Sequence, residues 1–301
     1  MTLAFRLDQI QSVEFGIGKD REDGRDYWVI PVDAAVQAAL VEMTRATWRS
    51  LLAVDGGPAR YEPSDKHGSI EYLFLPLNDV LSTGMRELHH ANNIAISANA
   101  LADRSQVFAY FARMTDTHGH RLTALRRATQ FKGILRNRLI RLVTNALKFV
   151  EDDVFKLDSD FDVLVDNNQV HILRPSAFEF AGQLQQAVMD AVPTNIATLN
   201  ADLPFVAFAA IGQYAAQHPR AARYLASIRA ADETKNINKR KLKALCKRTG
   251  VVVNESNGQL QVDDSNVMGF LEVLDRRRYE LELVSGQRES YRAPSRQRLK
   301  Q

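Results

Sequence analysis

The sequence predicts an α+β fold. It divides into an N-terminal mixed α/β domain with a largely antiparallel sheet, residues 1–177, and a mostly helical C-terminal domain with a small β element, residues 178–301. Three observations lead there. Strand and helix patterns alternate through the first part, with hairpin signals among them. From Ser176 to about His218 the apolar spacing turns helical and is cut by Pro193, Pro204 and Pro219. The chain has 301 residues, which at roughly 150 residues per domain is about two domains.

Each element has its own signal. Ser12 to Ile17 and Asp26 to Val32 read as strands around the charged turn Lys19–Arg25, where Asp23-Gly24 suits a turn. A helix over 33–54 follows, with Asp33 as N-cap, Val36, Leu40 and Met43 on one face, and Gly56-Gly57-Pro58 as the stop. A strand at Ser69 to Leu75, a helix to about His90 and an aromatic-rich strand at Val107 to Met114 come next. Residues 134–150 read as a helix. Leu135, Leu139, Leu142, Val143, Ala146, Leu147 and Val150 recur at three and four, opposite Arg138, Arg141, Asn145 and Lys148. Phe161 to Leu173 is a hairpin around Asp166-Asn167-Asn168. Beyond the Pro-cut segments, a helix spans 234–249 and ends at Gly250. A small hairpin pairs 251–253 with 259–262, and a helix at 265–275 and a strand at 279–284 follow. The tail 286–301 is polar, basic and expected to be loose.

Composition excludes several classes. The single cysteine, Cys246, rules out an internal disulfide and a multi-Cys zinc site, and fits a reducing compartment. No run reaches the roughly 18 apolar residues of a membrane span. The N-terminal residues lack the basic start and apolar core of a signal peptide, so a cytoplasmic protein is expected. Gly16-Ile17-Gly18 lacks the third glycine and the following helix of a dinucleotide loop, and no phosphate-binding P-loop occurs.

Charge is distributed unevenly. Residues 117–148 carry eight basic side chains and no carboxylate, residues 235–301 carry fifteen basic against eight acidic, and the rest of the chain is acidic. Two basic blocks on an acidic body attract a polyanion locally.

The order of residues from 125 to 180 carries a resemblance. Leu125-Arg-Arg-Ala-Thr-Gln-Phe-Lys132 is followed by Val154-Phe-Lys-Leu-Asp158, Phe161-Asp162, a hairpin ending His171-Ile-Leu173, and Phe178-Glu179. Arg278-Tyr279 and Tyr291-Arg292-Ala293 complete the pattern. This resembles the KwaB family of the two-gene Kiwa anti-phage defence system. The resemblance implies a dimeric, DNA-binding defence protein that works with the membrane protein KwaA. It would sit in the cytoplasm, peripheral to the inner membrane through KwaA, without inserting itself. It implies no well-established catalytic site.

Two candidate DNA surfaces follow from the charge. In helix 234–249, Lys239, Lys243 and Lys247 rise along one outer row that Lys235 starts, opposite Leu242, Leu245 and Cys246. Like charges at that spacing repel, and a row of phosphates would relieve them. Lysine predominates, so contacts to backbone rather than bases are expected. The other candidate is Arg126, Arg127, Lys132, Arg136, Arg138 and Arg141, mostly arginines that fork onto phosphate. The competing readings are a solvated helix face for the first and an inter-domain or dimer surface for the second.

The rival function is a metal-dependent nuclease. Asp158, Asp160 and Asp162 alternate and could share one face of a strand around Mg²⁺. Neither an EF-hand nor a restriction-type Glu-x-Lys accompanies them, and a solvated turn competes. His118-Gly-His120 reads as a polar turn more readily than a metal pair. His89-His90 sit near a helix end, where a charged His suits the dipole. Cys246 reads as a packed thiol. Ser176 with Glu179 could form a capping box. The reading is thus a protein that binds double-stranded DNA through phosphates, with no metal or organic cofactor expected.

Overall fold

A computed structural model describes residues 3, 5–21, 24–101, 106–128, 140–143, 146–149, 157–231 and 234–294. They fall in two compact units, one of residues 1–61 and 68–183, the other of residues 62–67 and 184–301. Both α-helix and strand are well represented, and the class is α+β.

The first unit runs β1 (Ile10–Arg21), β2 (Gly24–Ile30), α1 (Ala34–Leu52), β3 (Ala59–Arg60), β4 (Leu73–Pro76), α2 (Thr83–His90) and β5 (Ala95–Ile96). It continues with β6 (Val107–Asp116), β7 (Arg121–Arg127), β8 (Ile140–Val143), β9 (Ala146–Phe149), β10 (Val163–Val165), β11 (Gln169–Ile172) and α3 (Pro175–Ala181). The main sheet has the order β3-β4-β11-β10-β7-β6-β1-β2-β5. Its interior pairs are antiparallel and its two outermost pairs parallel. Asp33 caps α1 by accepting from the Val36 amide at 2.8 Å. The helix buries Leu40, Met43 and Leu51 with Phe15, Ile17 and Tyr110 of the sheet. Thr47, buried on α1, accepts a 2.7 Å bond from the Phe161 amide and so fixes the entry to the β10–β11 hairpin.

Gly16-Ile17-Gly18 lies inside β1. A Cβ at Gly16 would overlap the Phe111 ring and the Trp28 carbonyl, and one at Gly18 would crowd Phe108. The glycines make room for aromatic rings; they do not build a loop.

The second unit runs α4 (Leu184–Asp190), α5 (Val192–Asp202), α6 (Phe208–Ala215), α7 (Pro219–Ala230), α8 (Lys239–Arg248), β12 (Asn254–Ser256), β13 (Gln259–Gln261), α9 (Asp264–Leu274), β14 (Arg278–Val284) and β15 (Gln287–Arg292). Helix α7 packs against α4, α5, α6 and α9. Leu184, Leu199, Phe208, Leu225, Phe270 and Leu271 are fully buried. Among the described residues no helix is long and apolar enough to cross a membrane.

Several expectations are corrected. The helix expected over 134–150 is, at 140–143 and 146–149, the paired strands β8 and β9, with Ile140 opposite Phe149 and Leu142 opposite Leu147; the rest of that stretch lies outside the described residues. A spacing of three and four in a run rich in Leu and Val fits short strands too, and β-branched Ile140 and Val143 favour them. The tail is not loose over 287–292, where β15 pairs with β14. Helix α8 starts at Lys239, not at 234, because Asn238 caps it by accepting from the Arg240 and Lys241 amides at 3.0 and 3.2 Å. Strand β12 begins at Asn254, after the expected 251–253. The capping box is absent. Arg174 is the N-cap of α3, Pro175 opens the helix, and Glu179 accepts from Tyr61 Oη at 2.7 Å.

Candidate nucleic-acid interface

The basic helix α8 turns Leu242 and Cys246 inward. Burial pushes the Cys246 thiol up to about 11, so it is a packed group rather than a nucleophile. On the outer row, Lys239 donates to Glu255 Oε1 and to the Gly258 carbonyl, each at 2.6 Å. Lys243 donates to the other carboxylate oxygen of Glu255. These hydrogen bonds pull the Glu255 carboxyl down to about 2. The β12–β13 turn thus brings the lysine row a carboxylate of its own. Lys235, Arg240, Lys241 and Lys247 are exposed and form no ion pair among the described residues. Arg248 lies 3.5 Å from Glu280.

Arg126 and Arg127 of the other basic block behave differently. Arg126 on β7 points its guanidinium at three carboxylates: Asp162 Oδ1 at 2.7 Å, Asp158 Oδ2 at 3.2 Å and Asp160 Oδ1 at 3.3 Å. Arg174 closes the cluster from the end of β11, reaching Asp160 at 3.0 Å and Asp162 at 3.2 Å. Tyr110 Oη donates to Asp158 at 2.9 Å. The Arg127 amide donates to Asp162 Oδ2 at 2.7 Å, and the Arg127 guanidinium lies 3.9 Å over the Phe180 ring. Burial pushes the Asp162 carboxyl above its ordinary value, against the pull of the Arg127 amide and both guanidiniums. Arg121 is held by the His89 carbonyl and Asn92. Lys132, Arg136 and Arg138 lie outside the described residues; Arg141 is on β8.

This cluster bears on the nuclease reading. The three aspartates do converge, but from the irregular segment before β10 and not from one face of a strand. What they converge on is two arginines, in the space a divalent cation would need. Among the described residues, no group of three or more His, Cys, Asp or Glu is arranged to hold a metal ion. The reading of residues in sequence missed Arg174 and Tyr110. An arginine directly before a helix-opening proline carries no pattern of its own, and Tyr110 is hidden in an aromatic strand.

The histidines resolve as structural groups. His118 and His120 flank a turn whose amides donate to Asp116. His89 is not a charged helix-end residue. It is 1% exposed, bonded to Thr123 Oγ1 and Asn167 Oδ1, and burial pushes it down to about 4. A further buried pair, His171 and Asp166, sits 3.4 Å apart beside Tyr72 and Trp48. Asp166 also accepts from the Asn168 and Gln169 amides, which makes it the organiser of the β10–β11 turn.

Residues 106–283 match the family model described as Kiwa protein KwaB-like, more than half of the chain. No curated protein and no solved structure matches. The chain belongs to the KwaB-like family, which ties it to Kiwa anti-phage defence.

Proposed function

From that membership we propose that the chain binds double-stranded DNA through its phosphates and obstructs phage DNA replication, without chemistry of its own. The observation that carries this reading is the outer face of α8. Arg240, Lys241, Lys243 and Lys247 are exposed on it, Lys235 is exposed in the turn just before it, and among the described residues Glu255 is the carboxylate paired into the lysine row. A phosphate can displace Glu255 readily, because exposed ion pairs contribute little to stability. Arg126 is assigned a structural role and is removed from the binding surface. The membrane protein KwaA, as in the Kiwa pair, would hold the chain at the inner membrane from the cytoplasmic side. A second copy of the chain is the other partner. Its support is the β14–β15 hairpin, which exposes Tyr279, Leu281, Leu283, Val284 and Tyr291.

A salt titration of DNA binding tests the reading. Five cations on phosphates should give a slope of log K against log[salt] of about −4 to −5, at roughly −0.9 per phosphate. Affinity should be nearly indifferent to sequence, and EDTA should change neither binding nor the DNA. Metal-dependent cutting abolished by Asp160→Asn would overturn the reading. Leu283→Asp should convert a dimer to a monomer in light scattering; an unchanged mass would remove the hairpin from the dimer surface.

A further inference from the structure

A cavity of about 530 Å³ opens in the second unit, and none of the residues of α8 lines it. One wall is the segment Pro63–Lys66, another is the first turns of α7, and the third is Arg292–Pro294. Four cationic side chains face it: Lys66, Arg220, Arg223 and Arg292. Among the described residues of the lining the carboxylate is Asp65, and it is committed elsewhere, to the fully buried Arg277.

Arg277 also fixes the walls. Its guanidinium donates to Ser64 Oγ at 2.7 Å, to Asp275 and to the Pro294 carbonyl. It thereby ties the 62–67 segment and the residues after β15 to the end of α9. Two of the cavity's walls are thus joined by the buried Arg277 network.

Among the described residues that line it, cationic side chains outnumber carboxylates. Glu272, 1% exposed, is the carboxylate shared by Arg220, Arg278 and Arg292, three guanidiniums on one acid. The twelve-residue helix α7 starts at the cavity, its N-cap His218 makes no side-chain cap bond, and its dipole adds partial positive charge. Guanidiniums and a lysine gathered beside a helix start are the chemistry that recognises phosphate. Pro63, Ala293 and Pro294 supply an apolar surface for the rest of a ligand. The volume suits a molecule of nucleotide size, within the roughly 300–1,000 Å³ of small-ligand sites.

We propose that this cavity binds a small phosphate-bearing molecule of mononucleotide size, with its phosphates on Lys66, Arg220 and Arg292. The site is independent of the DNA surface on α8.

Calorimetry on the full chain with ATP, AMP, adenosine and pyrophosphate tests it. ATP and AMP should bind, pyrophosphate should compete, and adenosine should not bind. Lys66→Ala with Arg220→Ala should weaken ATP about tenfold or more. Both side chains are exposed, so the fold should survive. Lys241→Glu with Lys247→Glu should leave ATP binding unchanged. Absence of any nucleotide binding at about 1 mM, near the weakest affinity worth assigning to a site, would overturn the proposal. Adenosine binding as tightly as AMP would do so too. A phosphate could also come from a DNA terminus. If 5′-phosphorylation of a short duplex tightens its binding, the cavity variant abolishes that gain, and free nucleotides do not bind, the small-ligand assignment is overturned in favour of end capture.

Discussion

Arg126 and Lys241 look alike in the sequence, each a basic residue in a basic run, yet the structure uses them in opposite ways. Arg126 is mostly buried and surrounded by Asp158, Asp160 and Asp162. Lys241 stands on the open face of α8 with no carboxylate on it among the described residues. The difference is one of position in the fold. Arg126 lies on β7, next to the strand that Asp162 precedes, so the sheet register carries carboxylates to it. Helix α8 meets the rest of its unit through Leu242 and Cys246 and leaves its polar side outward. A basic block is therefore two kinds of object, internal counterions or an external field, and only the second can attract DNA.

The sharpest way to break the comparison is Arg126→Glu. It removes the shared cation and adds a fourth carboxylate, which should cost about 4 kcal/mol in urea unfolding. The folded fraction should keep its DNA affinity. An undiminished stability with lost DNA binding would put Arg126 back on the surface.

Acid separates the two regions next. In the first unit, His89 is neutral when folded, with its pKa pushed down to about 4 from 6.5. Between those values the unfolded chain binds the extra proton. Stability is thus full above pH 6.5 and falls as pH drops toward 4, by about 3 kcal/mol at most, at roughly 1.4 kcal/mol per unit. His89→Gln should flatten that part of the profile in unfolding measured against pH. The Glu255 pair on α8 should stay ionised throughout this window.

Lys241→Glu with Lys247→Glu should do the reverse of the Arg126 change. Stability should move by no more than about 0.5 kcal/mol. DNA affinity should fall roughly tenfold or more, and the salt slope should become shallower by about 2. The smallest effect sharpens the comparison furthest. Glu255→Gln frees Lys239 and Lys243, so DNA should bind severalfold tighter with a steeper salt slope and an unchanged thermal midpoint. Weaker binding in that variant would mean that Glu255 positions the lysines rather than competing for them.

Much of the fold was legible in local pattern. Asp33 as a cap, the aromatic strand from Val107 and the turn at Asp166 each state a near-neighbour preference, and the structure keeps them. The failures have a common cause. Residues 140–149 satisfy helical spacing and strand composition at once, and pairing between Ile140 and Phe149 settles it. Residues 287–292 are polar and read as a tail, because a strand whose partner is an adjacent hairpin arm needs no apolar face. Glu179 reads as a capping residue because the Tyr61 hydroxyl that engages it is 118 positions away.

The sequence by itself determined the α+β class, the family, the uneven charge and the residue types on the face of α8, since these depend on composition and on neighbours within a few positions. Which charges remain outside was decided by tertiary structure alone. Asp162 reaches Arg126 across paired strands, Glu255 reaches Lys239 and Lys243 across a turn, and Arg277 takes Asp65 from the cavity wall. A charge is neutralised by whatever lies within a few ångströms of it, and neighbours at that range are chosen by the packing of distant segments.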